Sequence, residues 1–541
     1  MEDLSNKQKM TVMIALIAAM FFAAINQTIV GSSMPRIVAE LGGMEHYSWV
    51  VTIFMLTTAI ATILVGKLSD IYGRKPFLLF GILLFMVGTF LVGTSNDIYQ
   101  MIAYRAIQGF GAGVLMSVTM TAVGDLFAPR ERAKWTGIMM SVFGVSSMLG
   151  PALGGVMIDH LDWKWLFWSF LPIGLIAFIM IWRLFPTVKR TNTETIDYWG
   201  SLFLSLSIVA LLLGVSWGGS KYAWGSLEII GLFTAALVGI GILILVERRV
   251  PNPVLPLTIF KSSIVNVSNL AGFIMNGGMM GVMIYLPIYL QGVSGLSPTG
   301  SGLVNIPMSV SMMVLSTLSG RWITQSGRYK RFALLGLLIM AISMVMLANM
   351  NNVGFALVSI FVFGIGLGLA MPVFTLTVQN ALPPTQLGVA TSTATLFRNL
   401  GGTIFIALFG SIMNASMKRN MEQEIEAAGG LNFTGLDSTS AEQLSGLLSA
   451  EILLDQNKLA GLQESLPVEA QAVFTTMIDL LRNSLSDTLS TLFYLGAFTV
   501  AIGIAVTCFL REIPLRTSNK SISEAKEHPT TQVANVETIA K

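Results

Sequence analysis

Residues Gly66-Lys67-Leu68-Ser69-Asp70-Ile71-Tyr72-Gly73-Arg74-Lys75-Pro76 form a charged, glycine-punctuated turn between two long apolar runs. A connection this short holds two membrane-length helices close and antiparallel, and Gly66 and Gly73 supply backbone freedom where neighbouring helices approach. Asp70, Arg74 and Lys75 supply the charges for a cluster at the membrane surface. A generic positive stop after a membrane helix accounts for Arg74 and Lys75, but not for the acid or the two glycines.

Working outward, the same glycine spacing returns 254 positions later in Gly320-Arg-Trp-Ile-Thr324-Gln-Ser-Gly327-Arg328, with Thr324 where the first copy has Asp70. Further on, Gly364-Ile-Gly-Leu-Gly answers Gly109-Phe-Gly-Ala-Gly, and Pro384 answers Pro129. Apolar runs long enough to cross about 30 Å of hydrocarbon begin near residues 11, 48, 77, 99, 134, 164, 199, 228, 264, 301, 331, 354, 388 and 487. The chain is therefore predicted to be an all-α polytopic membrane protein with fourteen transmembrane helices. The repeat divides them into two six-helix halves, with the seventh and eighth helices inserted between. The expected segments are 1–190, an N-terminal six-helix bundle; 191–262, the inserted pair; 263–414, helices nine to thirteen; 415–486, an outer acidic loop; 487–512, the last span; and 513–541, a disordered polar tail. Parallel repeats of this kind place a substrate site between the halves, near mid-membrane.

Composition agrees. Hydrophobic residues make up 53% of the 541, charged residues 11%, and mean hydropathy is +0.72, against about a quarter charged residues in a soluble protein. A net charge of +3 gives no reason to expect nucleic-acid binding. One cysteine, Cys508, excludes an intramolecular disulfide and a thiolate metal cluster, and it reads as a small buried hydrophobe. The first apolar run lacks a small-residue cleavage pattern and is read as a retained span. Lys and Arg gather at Lys7, Lys9, the first hinge, 130–134, 183–190, 248–261, 321–331 and the tail. The positive-inside rule then puts both termini and both hinges in the cytoplasm. Residues 415–486 fall outside; Thr439-Ser-Ala-Glu442 resembles a capping box, and the following leucines suggest a short helical hairpin over the outer mouth, a lid, a cation-attracting vestibule or a passive decoration.

The first hinge resembles the cytoplasmic loop signature between helices two and three of major facilitator superfamily transporters. The fifth predicted helix reads Gly144-Val-Ser-Ser-Met-Leu-Gly150-Pro151-Ala-Leu-Gly154-Gly155, and resembles the antiporter signature of that superfamily's exporters. A packing role for these glycines is equally compatible with it. Ile25-Asn26-Gln27-Thr28, Met34-Pro35-Arg36 and Asp162-Trp163-Lys164-Trp165, together with the helix count, resemble the fourteen-helix drug:proton antiporter family over about residues 10–410. The resemblance implies multidrug efflux, and drug resistance, by a proton-driven antiporter in the plasma membrane, with no cofactor and no metal.

One position departs from that family. It carries an aspartate in the first helix where this chain has Asn26, and a buried carboxylate is the usual proton carrier because burial raises its pKa. No Asp or Glu is expected mid-span. Arg105, roughly 9 Å below the outer surface, has no acid to face; it is expected to hydrogen-bond Asn26 or Gln27 and to be available to a substrate, or to clamp backbone carbonyls. Arg398 has the same two readings. Asn276, Met279, Met280, Met283, Tyr285 and Tyr289 offer an adaptable lining, although a Met stripe equally fits core or lipid. Candidate substrate-binding residues are thus Asn26, Gln27, Arg105, Asn276, Met279, Met283 and Arg398. Candidate proton-coupling and gating residues are Asp70, Arg74, Asp125, Arg130, Gly150 and Pro151, with Asp70 as the latch of the inner gate and Arg132 beside Arg130. His46, His160 and His528 lie in or near loops, and neither a nucleotide loop nor a metal-ligand cluster is present. The expected partners are small lipophilic substrates, protons and membrane lipid, acting on a monomer; lipid export, and nutrient import or sensing, are the alternatives.

Overall fold

A computed structural model describes residues 4–41, 47–187, 197–219, 221–251, 253–427 and 468–515, with isolated positions 453, 459, 461 and 463. Fourteen long helices follow in chain order: α1 (Asn6–Leu41), α2 (Tyr47–Tyr72), α3 (Arg74–Gly93), α4 (Ile98–Leu126), α5 (Pro129–His160), α6 (Leu171–Leu184), α7 (Tyr198–Trp217), α8 (Leu227–Glu247), α9 (Ser263–Ile288), α10 (Ile306–Ser326), α11 (Lys330–Ala348), α12 (Val353–Ala381), α13 (Leu387–Ala427) and α14 (Val468–Cys508). Among the described residues thirteen of these helices are long and apolar enough to cross a membrane; the remaining long helix is the 32-residue α5. In hydrocarbon every backbone amide and carbonyl needs an internal partner, so an apolar run of this length has no alternative to the helix.

The repeat reaches down to single residues. Asp97 caps α4 by accepting from the Gln100 amide at 2.8 Å, and Asn352 caps α12 by accepting from the Phe355 amide at 2.8 Å. Gly73 and Gly327 leave the two hinges with φ of 89° and 70°, a left-handed conformation that glycine adopts without a side-chain penalty.

The halves meet along two seams, where α5 packs on α10 and α2 on α13. Glycine makes both possible: a Cβ at Gly320 would collide with the Ala133 carbonyl, and one at Gly388 with the Gly66 carbonyl. The described chain ends lie on the hinge side of the molecule. Lys9 sits over the Phe127 ring at the end of α4, and the Arg511–Pro514 backbone bonds Tyr329 and Asn380.

Some expectations change. The last two helices outrun the hydropathy boundaries: α13 continues past 415 to Ala427, and α14 begins at Val468, not near 487. Met477, Leu481, Leu485 and Leu489 are buried at helical spacing, and the Asn420 amide donates to Thr488 Oγ1 at 3.0 Å. The extensions pack on each other by an amphipathic face, whose charged side a hydropathy window reads as loop. Cys508 is exposed at the end of α14, not buried. The 439–442 capping box, the rest of the outer hairpin apart from positions 453, 459, 461 and 463, the tail beyond 515, His46 and His528 lie outside the described residues.

Candidate functional site

The first hinge carries a buried charge relay. Gly73 ends α2 and turns the chain so that Arg74, at the start of α3, lies back under α2. Its Nε donates to Asp125 Oδ2 at 2.8 Å, its Nη1 to Ser69 Oγ at 2.7 Å, and its Nη2 to Asp70 Oδ1. Arg74 is 1% exposed and Asp70 7%. The Asp70 carboxylate also faces the first amides of α13. Asp70 accepts from Gly388 N at 3.1 Å and from Val389 N at 3.2 Å. A helix N-terminus offers unpaired amides and about half a positive charge, so a carboxylate from the opposite half is a fitting cap.

The second seam is closed in the opposite sense. Arg130, in the first turn of α5, donates to the Thr324 and Gln325 carbonyls at 2.9 and 3.2 Å, at the end of α10. Arg132 is buried and donates to the Gly124 carbonyl at 2.7 Å and to Gln379 Oε1 at 3.4 Å; Gln379 in turn donates to Thr391 Oγ1 at 2.8 Å. Tyr329, next to the second hinge, accepts from the Ile513 amide at 2.8 Å, and burial pushes its phenol up from its ordinary range. The hinge face is closed on both seams.

Deeper in the bundle, Arg105 does not bond Asn26 or Gln27. It is 3% exposed; its Nη1 donates to Gln108 Oε1 at 2.8 Å, its Nε to the Val50 carbonyl at 3.4 Å, and its guanidinium lies 4.2 Å over the Phe54 ring. Gln108 passes the network to Thr89 at 2.9 Å. The reason is local geometry: Gln108 is one turn along the same helix face, whereas Asn26 donates to the Phe22 carbonyl of its own helix at 3.0 Å. Asn26 Oδ1 is buried without a hydrogen-bond partner among the described residues. Gln27 is exposed on α1.

In the second half, Asn276 donates to the Arg398 carbonyl at 2.8 Å, joining α9 to α13. The Arg398 side chain is half-buried, with no ion pair among the described residues. Tyr285 and Tyr289 donate to the Ile406 and Met350 carbonyls at 3.3 and 3.0 Å, which makes them interhelical ties. Met279 and Met283 are partly buried against the core. A Cβ at Gly150 would meet Thr28, whose Oγ1 donates to the Ser146 carbonyl at 2.8 Å, so this glycine seats α1 on α5; the helix continues through Pro151.

Sequence reasoning grouped Asp70, Arg74 and Asp125 but named neither Gly388 and Val389 nor Gln379 as partners. It also passed over Asp197 and Glu247, buried acids at the ends of α7 and α8. The available signal was their position: each is the last acid before, or the first after, an apolar run.

A family model described as Major Facilitator Superfamily matches residues 16–406. The chain is 35% identical over 530 residues to the multidrug transporter protein MdtP of Bacillus subtilis (strain 168), covering 96% of each. It is 29% identical over 532 residues to multidrug resistance protein 3 of the same organism, covering 97% of this chain and 100% of the other. Among solved structures it resembles the human organic anion transporter MFSD10 (TETRAN), with a TM-score of 0.60 at 14% identity, covering 91% of this chain and 99% of that one. It also resembles the proton:xylose symporter XylE, with a TM-score of 0.58 at 12% identity, covering 97% and 99%. At such identities the solved structures speak to the fold alone.

Proposed function

The chain belongs to the major facilitator superfamily and is a multi-pass membrane transporter, not an enzyme; from that premise we propose that it exports lipophilic and amphipathic compounds across the plasma membrane by alternating access. The observation that carries this reading is the likeness to a protein named as a multidrug transporter over 96% of both chains. The gradient of Lys and Arg makes the hinge face cytoplasmic, with both termini inside, so the described state is closed inward. Asp70, with Arg74 and Asp125, is the latch, Arg130 its counterpart on the second seam, and Gly150 and Pro151 the packing point about which α5 moves. Asn26, Gln27, Arg105, Asn276, Met279, Met283 and Arg398 contribute to the substrate cavity of a monomer, and a proton gradient supplies the energy.

A second reading, export of lipid or lipid-linked compounds, is favoured by one observation. Neither Arg105 nor Arg398 has a carboxylate partner among the described residues, so both are suited to an anionic headgroup. The test uses purified protein in liposomes under an imposed pH gradient, following a fluorescent lipophilic cation and internal pH together, with Asn26→Asp alongside. Drug and protons moving in opposite directions in the wild type is the expected result. Counter-movement in Asn26→Asp alone overturns proton antiport for the natural chain and puts the lipid reading first.

A further inference from the structure

The inserted pair brings two carboxylates to the hinge face that the transport reading leaves unused. Asp197 caps α7: its Oδ1 accepts from the Gly200 amide at 2.8 Å, while its Oδ2 is buried without a hydrogen-bond partner among the described residues. Glu247 closes α8: its Oε1 accepts from the Leu255 amide at 3.0 Å, and its Oε2 is likewise buried and without a partner among the described residues. The residues are 4% and 5% exposed. Among the described residues, the charged groups that act on Glu247 include Asp197 and, from α2, Lys67. The returning segment Pro253-Val254-Leu255 and the first turns of α13, residues 387–397, contain no ionisable side chain. Asp70, one turn beyond Lys67, is engaged by Arg74 and the α13 amides.

The pair also sits beside the gate. One apolar cluster joins Leu204, Ile208 and Leu212 of α7 and Leu243 of α8 to Ile63 of α2 and Leu396 of α13. The insert therefore lies across the α2–α13 seam, touching both halves. Separation of α2 from α13 strips this cover and lets water reach the acids.

We propose that Asp197, Glu247 and Lys67 form a proton-binding site that is dry while the α2–α13 seam is closed and wet when it opens, so that cytoplasmic protons favour the closed hinge face. Two buried carboxylates against one ammonium cannot both stay ionised cheaply, because burial and a like charge each disfavour the anion. One proton relieves both. In the open state the same groups are hydrated and the anion is no longer disfavoured, so the closed state holds the proton more readily than the open one. The closed-to-open ratio then rises as pH falls, by at most about tenfold per pH unit for one proton. This rests on the alternating-access reading above.

The test follows the gate without substrate, in the full chain carrying Cys508→Ser, with spin labels at Tyr72→Cys and Arg328→Cys, in lipid nanodiscs between pH 5.5 and 8. The short-distance population should grow on acidification. Glu247→Gln, and Asp197→Asn, which retains a capping oxygen, should each flatten that response. Lys67→Met removes the cation that favours the ionised pair, and should move the midpoint to higher pH. An unchanged response in both carboxamide variants, no response in the parent, or sodium reproducing the shift at fixed pH would each overturn the proposal. A flat response in a parent that still exports drug refutes the pair alone. An intact response in a chain that exports nothing refutes the exporter reading alone.

Discussion

The two seams of the hinge face are copies in backbone and opposites in charge. Each brings a hinge glycine of one half against the first turns of the other half's fifth helix, Gly66 on Gly388 and Gly320 on Ala133, and each hinge ends in a left-handed glycine. On the α2–α13 seam a carboxylate from the hinge caps the N-terminus of the facing helix. On the α5–α10 seam an arginine from the facing helix caps the C-terminus of the hinge helix. Both solve one problem, the unpaired backbone groups at a helix end, from opposite ends of the dipole. The repeat thus preserves what sterics demand and leaves the sign of the charge free. Asp70 is buried with its partners, whereas Arg130 is exposed, and a charge out of water is worth far more to its contact than one within it.

That asymmetry can be broken or sharpened in order of expected size. Asp70→Asn leaves Arg74 with one buried acid in place of two and weakens the cap on α13; losing one partner of a buried pair costs about 3–5 kcal/mol. It should lower the closed-to-open ratio of the hinge face about a hundredfold or more, read by the same label distances, and drug efflux should fall with it. Gly388→Ala and Gly320→Ala test the shared half of the comparison. Both add a methyl against a backbone carbonyl, and both should reduce transport by about tenfold, at the 1–3 kcal/mol of an overpacked contact. If one is silent, the seams are not steric equivalents. Arg130→Ala removes two hydrogen bonds at an exposed site, and transport rates should drop only about two- to fivefold. Thr324→Ala, at the position answering Asp70, should change transport by less than twofold, since Thr324 Oγ1 donates only within its own helix, to Gly320 O at 2.8 Å. A loss as large as that of Asp70→Asn would show that the second seam has its own latch.

Much of the first hinge cluster was legible in the chain itself. The glycine pair, Asp70 and Arg74 lie within one short hinge, and their spacing implies helix, sharp turn and ion pair, because all three are decided by near neighbours. Arg105 shows where this stops. Its depth pointed to Asn26, yet Gln108, three residues away on its own helix, meets the same need with less to order. The extended α13 and α14 were hidden because hydropathy registers lipid-facing surface and not a helix that buries one stripe against its neighbour.

The sequence by itself determined the number of long helices, the placing of both hinges on one face, and the repeat that relates them. In a bilayer these depend on apolar run length, loop charge and local glycine spacing, all of which are written contiguously. Only the tertiary structure decided which helix end each charge caps and where the inserted pair rests. Gly388 lies 318 residues beyond Asp70, Thr324 lies 194 beyond Arg130, and Glu247 feels the charges of Asp197, ahead of α7, and of Lys67 on α2. Such pairs arise from the packing of whole helices, where close approach and the burial of unpaired polar atoms choose among partners that no local pattern ranks.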